Sequence, residues 1–235
     1  MVQKKDKNLA EGRLVNEIEA WRQGFKLVVG TDEAGRGPLA GPVCAGAAAI
    51  IDRTATDDEF RFLLAETNDS KILAPAKREA VYGCIVAHPA IIWGFAAVSP
   101  RVIDKINILE ASRLAMKRAI GNMLRHFCVV LPQEKIFCLV DGNKELRAGY
   151  RQRAVVGGDR AVFSISAASI IAKVGRDRLM AGLDKKYPGY GFAIHKGYGT
   201  SRHLEALEHL GPSLIHRKTF FPVVRAQKKF STARN

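Results

Sequence analysis

Acidic side chains follow apolar, strand-like runs at three separate places in this sequence. Asp32 and Glu33 come after Leu27-Val28-Val29, Asp141 after Lys135 to Val140, and Asp159 after Ala154-Val155-Val156. Open α/β sheets place their chemistry at strand ends. A single acid there is an ordinary turn residue, so it is the recurrence that points to a site. Carboxylates gathered within a few ångströms repel one another, and all stay ionised near neutral pH only when cations neutralise them. Oxygen ligands without His or Cys select Mg²⁺ or Mn²⁺. With two ions about 4 Å apart, one activates the attacking water and the other stabilises the leaving oxygen, so phosphodiester hydrolysis needs no protein nucleophile. His195 is the nearby candidate for proton transfer, although a histidine in a loop more often makes a surface contact.

The elements that must position these acids alternate along the chain. Residues 9–22 place Leu14, Val15, Ile18 and Trp21 on one helical face. A strand at 27–29 and an apolar run at 43–51 flank Gly30-Thr31-Asp32-Glu33-Ala34-Gly35-Arg36-Gly37. Side chains alternate faces on a strand, so Asp32 and Glu33 are expected to share a site only where the backbone abandons strand geometry, which the glycines make cheap. A short helix at 57–66 starts on acids, Pro75 opens a helix to about His88, and Ile91 to Val98 reads as a strand. Ser99-Pro100 is an N-cap and N1 signature for a helix periodic over 103–124. After the strand at 135–140, a polar, Arg-rich segment leads to a short strand at 154–156. A helix from Ser164 to about Lys186 carries a small-residue face, Ala167, Ala168 and Ala172, suited to close packing on a sheet. Residues 189–199 form a loop rich in glycine and aromatics, and Thr200 or Ser201 opens a last helix that Gly211-Pro212 closes. This interleaving predicts an α/β or α+β domain with a central mixed sheet flanked by helices.

The 235 residues, 47% hydrophobic, are enough for a substantial core. Lys and Arg number 37 against 23 Asp and Glu, a net charge of +14 that makes polyanions the natural partners. Cys44, Cys84, Cys128 and Cys138 show no CxxC spacing and read as reduced core residues. Met1 to Gly12 is polar, without an apolar core of signal-peptide length, so a cytoplasmic protein is expected. The longest apolar runs are too short to span a bilayer as helices. A phosphate-cradling nucleotide binder fits poorly: Gly35-Arg36-Gly37-Pro38-Leu39-Ala40 misses the third glycine of GxGxxG, there is no GK[ST], and Asp32 and Glu33 repel phosphate. A non-enzymatic basic nucleic-acid-binding protein fits the charge but leaves the acids after three strands without a purpose.

The run Asp32-Glu33-Ala34-Gly35-Arg36-Gly37-Pro38-Leu39-Ala40-Gly41-Pro42-Val43 resembles the signature of ribonuclease HII in its bacterial form. So do, in order, Asn68-Asp69-Ser70-Lys71, Leu139-Val140-Asp141-Gly142, Gly158-Asp159, residues 167–174, Arg176-Asp177-Arg178, residues 195–200 and Ile215-His216-Arg217. The resemblance covers about residues 26–224. It implies a ribonuclease H-like fold with a helical C-terminal extension, divided into an N-terminal helical extension (1–24), a catalytic domain (25–224) and a basic tail (225–235). It implies an endonuclease that cuts the RNA strand of RNA–DNA hybrids and single ribonucleotides in duplex DNA, leaving 5′-phosphate and 3′-hydroxyl ends. Asp32, Glu33, Asp141 and Asp159 would be the metal-binding carboxylates. Gly35, Arg36 and Gly37 would read the 2′-hydroxyl at the RNA-to-DNA junction and Tyr198 would stack on the deoxyribose beyond it, while Arg36, Lys71 and Lys196 would contact phosphates. A monomer is expected, its tails the place to recruit a replication partner. Ala74 stands where the family often has a serine N-cap, and Arg160-Ala161-Val162 replaces a commoner Lys or Ser arrangement. Asp177 is expected to pair with Arg176 or Arg178, or to sit on the helix surface.

Overall fold

The runs expected as strands form one mixed sheet whose middle strand carries the first two acids. In the computed structural model, residues 12–67 and 72–232 are described. The turn Asn68 to Lys71 lies outside them, and with it the expected phosphate contact Lys71. Helix α1 (Val15–Arg22) precedes β1 (Leu27–Ala34) and β2 (Val43–Ile50); α2 (Asp58–Glu66) and α3 (Pro75–Ala87) lead to β3 (Ile91–Val98). Then come α4 (Pro100–His126), β4 (Ile136–Asp141), β5 (Arg151–Val155), α5 (Gly158–Ala161), α6 (Phe163–Lys186), α7 (Phe192–His195), α8 (Ser201–Leu210) and α9 (Phe221–Thr232). The order across the sheet is β3-β2-β1-β4-β5. β1 runs antiparallel to β2 and parallel to β4, with Asp32 opposite Gly46 and Thr31 opposite Val140.

Helices cover both faces, which is why β2 is buried at every position and could not show a half-buried alternation. On one side α4 sets Ala115, Ala119, Ile120 and Met123 against Val29, Ala45, Ala47 and Ile92. On the other, α6 sets Phe163, Ala167, Ile170 and Ile171 against Ala48 and Ile50, with Leu63 of α2 and Val81 and Ile85 of α3 behind them. The small-residue face of α6 does what its composition implies: the helix lies so close to the sheet that a Cβ on Gly30 would enter the Ser164 backbone and one on Gly46 the Ala168 carbonyl.

Several local expectations are corrected. Strand geometry does not break at Asp32-Glu33 but persists to Ala34, because Glu33 and Ala34 remain paired to Ala45 and Cys44 of β2. β5 takes in the polar residues 151–153; as an edge strand with half-buried side chains it has no need of an apolar run. Within α4 the helix is broken at Asn107 (φ 64°, ψ 167°), whose Oδ1 caps the second segment by accepting from the N–H groups of Leu109 (3.0 Å) and Glu110 (3.1 Å). Ser99 makes no side-chain cap bond, whereas Thr200 accepts from His203 N–H (3.3 Å) as expected, and Asp57, expected only as an acid inside its helix, caps it by accepting from Phe60 N–H (2.9 Å). Residues 225–232 are not a tail but the body of α9, which buries Val223 and Ala226 against Leu39 and Leu207. Cys44 and Cys138 are core thiols that burial pushes up to about 12, but Cys128 is exposed. Among the described residues no helix is long and apolar enough to cross a membrane.

The contact between α6 and the sheet is testable with two alanines. Gly46→Ala forces α6 off β2 and is expected to cost about 1–3 kcal/mol or more in urea unfolding. Gly83→Ala, in α3 with open space around the added carbon, is expected to stabilise by about 0.5–1 kcal/mol. Equal midpoints for the two variants would refute the close packing.

Candidate active site

The acids meet where β1 outruns its neighbour. Pairing between β1 and β4 ends at Thr31 and Val140, so Asp32 falls level with Asp141, the last β4 residue, and Glu33 lies one position beyond it. There both carboxylates feel the charge of Asp141, although they sit at adjacent strand positions. Asp32 is only 4% exposed. Its carboxyl is held well above the usual range by burial and then by the charges of Glu33 and Asp141, against the pull of the Ser169 hydroxyl and the Glu33 N–H (2.6 Å). Glu33 is raised as well, chiefly by burial, while Arg36 at 3.1 Å opposes the shift. Asp159, buried in the first turn of α5, donates its N–H to Asp141 Oδ1 at 3.3 Å, which places the fourth acid beside the third.

The donor set suits a hard divalent cation: all oxygens, no His or Cys, and carboxyls whose burial and mutual repulsion a cation would relieve. It is not a finished cage. Among the described residues no three His, Cys, Asp or Glu groups are already gathered to hold a metal ion, and Glu33 is instead turned to Arg36.

A cleft of about 340 Å³ opens over these residues, lined by Asp32, Glu33, Asp141, the Ala34 to Gly37 segment and Tyr198, and by Ser169, Lys173 and Arg176 of α6. The three α6 residues had no role in the sequence reading. The signal was present, since Ser169, Lys173 and Arg176, at i, i+4 and i+7, share one face of the helix. Gly35 turns the chain at φ +93°, and a Cβ there would collide with the Arg176 side chain. Arg176 donates to the carbonyls of Pro42 (3.0 Å), Ala40 (3.3 Å) and Lys196 (2.9 Å). Arg217, fully buried, donates to those of Gly35 (2.5 Å), Arg36 (2.7 Å) and Gly41 (3.1 Å). Burial and the nearness of Arg176 push Arg217 down to about 9. Sequence reasoning found the blocks containing both arginines without this task, because the bonds join residues more than a hundred positions apart.

Other expected residues fall differently. Tyr198 is 46% exposed at the cleft mouth, its ring 5.9 Å from the Arg176 guanidinium. Lys196 does not line the cleft; its Nζ donates to Ala193 O at 2.6 Å. Asp177 pairs with neither neighbour but with Lys173 (2.8 Å) and, at 4.0 Å, Arg78, while Arg178 bonds Glu79. His195 is buried, not a surface contact. Gly197 N–H donates to its Nδ1 (3.1 Å), so its Nε2–H donates to Tyr190 O (2.7 Å) and neither nitrogen is left for proton transfer. Its ring stacks on His203, which belongs to a relay. Ser213 N–H donates to His216 Nδ1 (2.9 Å), His216 Nε2–H to His203 Nε2 (3.1 Å), and His203 Nδ1–H to Tyr198 O (2.9 Å). Every ring in that chain is neutral.

A mixed five-stranded sheet between helices, with acids at the ends of neighbouring parallel strands, is the ribonuclease H-like architecture. A ribonuclease H2 structure from Pyrococcus horikoshii superposes on it with a TM-score of 0.67, at 28% identity over 87% of this chain and 99% of that one. The ribonuclease HII in a PCNA:RNase HII complex from Archaeoglobus fulgidus gives 0.63 at 25% identity, covering 83% and 95%. Bst-RNase HIII in complex with Mn²⁺ gives 0.64 over 89% and 72%, but at 16% identity it shows the fold alone. The ribonuclease HII of Geobacter sulfurreducens is 46% identical over 204 residues, 87% of this chain and 86% of that protein. The Ribonuclease HII family model matches residues 29–223, and the chain belongs to that family of endoribonucleases.

The relay behind Tyr198 predicts acid sensitivity. Burial and then the facing His203 lower the His216 pKa from 6.5 to about 3. Between those values the unfolded chain binds more protons, so stability rises with pH there and is lost as pH falls below about 6.5. His216→Gln should be less stable than wild type at pH 8, and the gap should shrink towards pH 4.5 by at most about 1.4 kcal/mol per pH unit. Urea midpoints across that range decide it, and a gap constant with pH would contradict a buried neutral His216.

Proposed function

We propose that the protein is a divalent-metal-dependent endonuclease that cuts the RNA strand of RNA–DNA hybrids and also cuts at single ribonucleotides embedded in duplex DNA. The observation that carries this reading is one cleft in which three mutually repelling carboxylates, Asp32, Glu33 and Asp141, adjoin a backbone turn pinned by two buried arginines. Asp32, Glu33, Asp141 and Asp159 are the residues to hold a two-metal site of Mg²⁺ or Mn²⁺, and the Mn²⁺-bound RNase HIII neighbour supports that choice of ion. Bound there, the metal supplies an activated water and counter-charge for the leaving oxygen.

The remaining work belongs to the chain itself. Ser169 fixes the Asp32 carboxylate by a hydrogen bond. Arg36, more than half exposed, can leave Glu33 for a substrate phosphate and so frees that carboxylate as the substrate arrives. With the carbonyls of Gly35 and Arg36 committed to Arg217, the turn keeps one shape, and the missing Cβ at Gly35 and Gly37 lets backbone approach a 2′-hydroxyl, the group that separates RNA from DNA. Tyr198 at the mouth is placed to stack on the next, deoxy, sugar. The net charge of +14 draws the duplex to the cleft. The PCNA-bound neighbour supports a replication partner for this chain too.

Purified protein with Mn²⁺ or Mg²⁺ is expected to cut a duplex carrying one ribonucleotide, leaving 5′-phosphate and 3′-hydroxyl ends, and to spare an all-DNA control. Asp141→Asn should lower kcat by at least about 100-fold without loss of fold. Wild-type turnover in that variant would sink the assigned cluster. Arg217→Met, which frees the turn but leaves every carboxylate, should raise KM by about tenfold and weaken the choice of cleavage position more than it lowers kcat. A pure kcat defect would mean that Arg217 serves the chemistry instead.

A further inference from the structure

We infer that Arg13 and Glu17, at the N-terminal end of the chain and outside the segment that defines the family, are positioning residues for the active site, Arg13 fixing the Asp159 backbone through Ser166 and Glu17 fixing the start of α6 beside it through Ser164. The inference rests on the reading of Asp159 as one of the metal-binding acids.

Glu17 is a carboxylate of α1 only 1% exposed, and nothing in the catalytic cleft touches it. Its Oε1 accepts both the backbone N–H (2.9 Å) and the hydroxyl (2.7 Å) of Ser164. Ser164 lies in the first turn of α6, whose own N-cap position is Val162, a side chain with no acceptor to offer. A residue almost 150 positions away therefore caps the helix that carries Ser169, Lys173 and Arg176 into the cleft, and a carboxylate at that end also meets the positive end of the helix dipole. Burying a carboxylate is costly, so its presence calls for a task.

Arg13 supplies the other half. Its guanidinium donates to the Ser166 hydroxyl at 2.7 Å and to the Thr67 carbonyl. Occupied on its acceptor side by Arg13, the Ser166 hydroxyl must direct its proton to carbonyls, and it contacts those of Asp159 (2.7 Å) and Val162 (2.9 Å). The N–H of Asp159 donates to Asp141. Asp159 is thus held at both ends of its backbone, by Asp141 on one side and by the Arg13–Ser166 chain on the other, in a four-residue helix too short to hold itself. Removing the clip leaves the four carboxylates in the sequence but loosens the turn that presents the fourth.

The test compares Arg13→Ala, Glu17→Ala and Ser166→Ala with Glu17→Gln, which keeps the acceptor oxygen. Ser166→Ala leaves the N-terminal helix intact and serves if either of the first two fails to fold. In metal-free protein, amide exchange over residues 158–166 is expected to quicken about tenfold in the alanine variants, and calorimetric Mn²⁺ affinity to fall about tenfold, as for lost outer-shell partners. Cleavage should recover to within a few-fold of wild type at saturating Mn²⁺, and Glu17→Gln should resemble wild type in both readings. Unchanged exchange and Mn²⁺ affinity in the alanine variants, with only a lower Tm, would overturn the inference, as would Glu17→Gln behaving like Glu17→Ala. Asp159→Asn separates the two questions. Wild-type Mn²⁺ affinity there would remove Asp159 from the metal site, while the exchange measurement still decides whether the clip orders its backbone.

Discussion

Everything at this site depends on how closely one helix can lie on one pair of strands. Side chains project several ångströms from a helix axis, so a helix resting on ordinary side chains would hold Ser169, Lys173 and Arg176 well above Asp32. Gly30 and Gly46 remove the spacer from the sheet, and Ala167, Ala168 and Ala172 remove it from α6. The helix consequently reaches the strand backbone, and its polar face arrives level with the carboxylates of β1 and β4. This contact gives little apolar burial per residue compared with the leucine- and isoleucine-rich packing of α2 and α3 behind it. Stability is drawn from that outer packing, leaving the inner contact free to be shaped by the site.

The second constraint is electrostatic. Burying Asp32 beside Glu33 and Asp141 costs energy that no interaction among them can return, and burying Arg176 and Arg217 nearby costs energy too. Among the described residues neither Arg176 nor Arg217 is ion-paired to Asp32 or Glu33. The two arginines spend their donors on backbone carbonyls of residues 35–42 and 196, while Asp32, Glu33 and Asp141 line the cleft. Direct pairing would have neutralised the acids and left no use for a cation. Diverting the guanidiniums keeps the acids in need of positive charge and, by the same bonds, makes a rigid turn of the segment after β1.

How much of this was legible in the sequence follows from the range of each interaction. The mixed sheet, its flanking helices and the three acidic strand ends could be read because they rest on periodicity and on residue types within a few positions. The cap at Thr200 was visible for the same reason. The end of β1 was not: whether Asp32 and Glu33 stay in strand geometry is decided by pairing to Ala45 and Gly46 and by the end of β4 at Asp141, none of which is local in sequence. The break in α4 was hidden because Asn107 interrupts the helical backbone without interrupting its apolar spacing. His195 looked like a loop residue and proves to be core, since only the fold brings His203 against it. Lys196 carries the right charge in the right motif, but a left-handed backbone (φ 53°) and a bond to Ala193 turn it away from the cleft.

On the proposed function, catalysis and recognition would share a strand, and that has a mechanical consequence. From Asp32 to Gly35 the backbone passes from a paired strand directly into a turn held by Arg217, with Ala34 alone between Glu33 and Gly35. Neither side can move without the other, since β2 clamps Glu33 and Ala34 while the arginines clamp residues 35–42. A flexible linker between the two parts would let a sugar be bound while the phosphate lay an ångström from its place, a displacement that costs about 100-fold in rate. If the cleft distinguishes one hydroxyl group along an otherwise uniform backbone, as proposed, rigidity between the turn and the strand would let recognition of the sugar determine which phosphate meets the carboxylates.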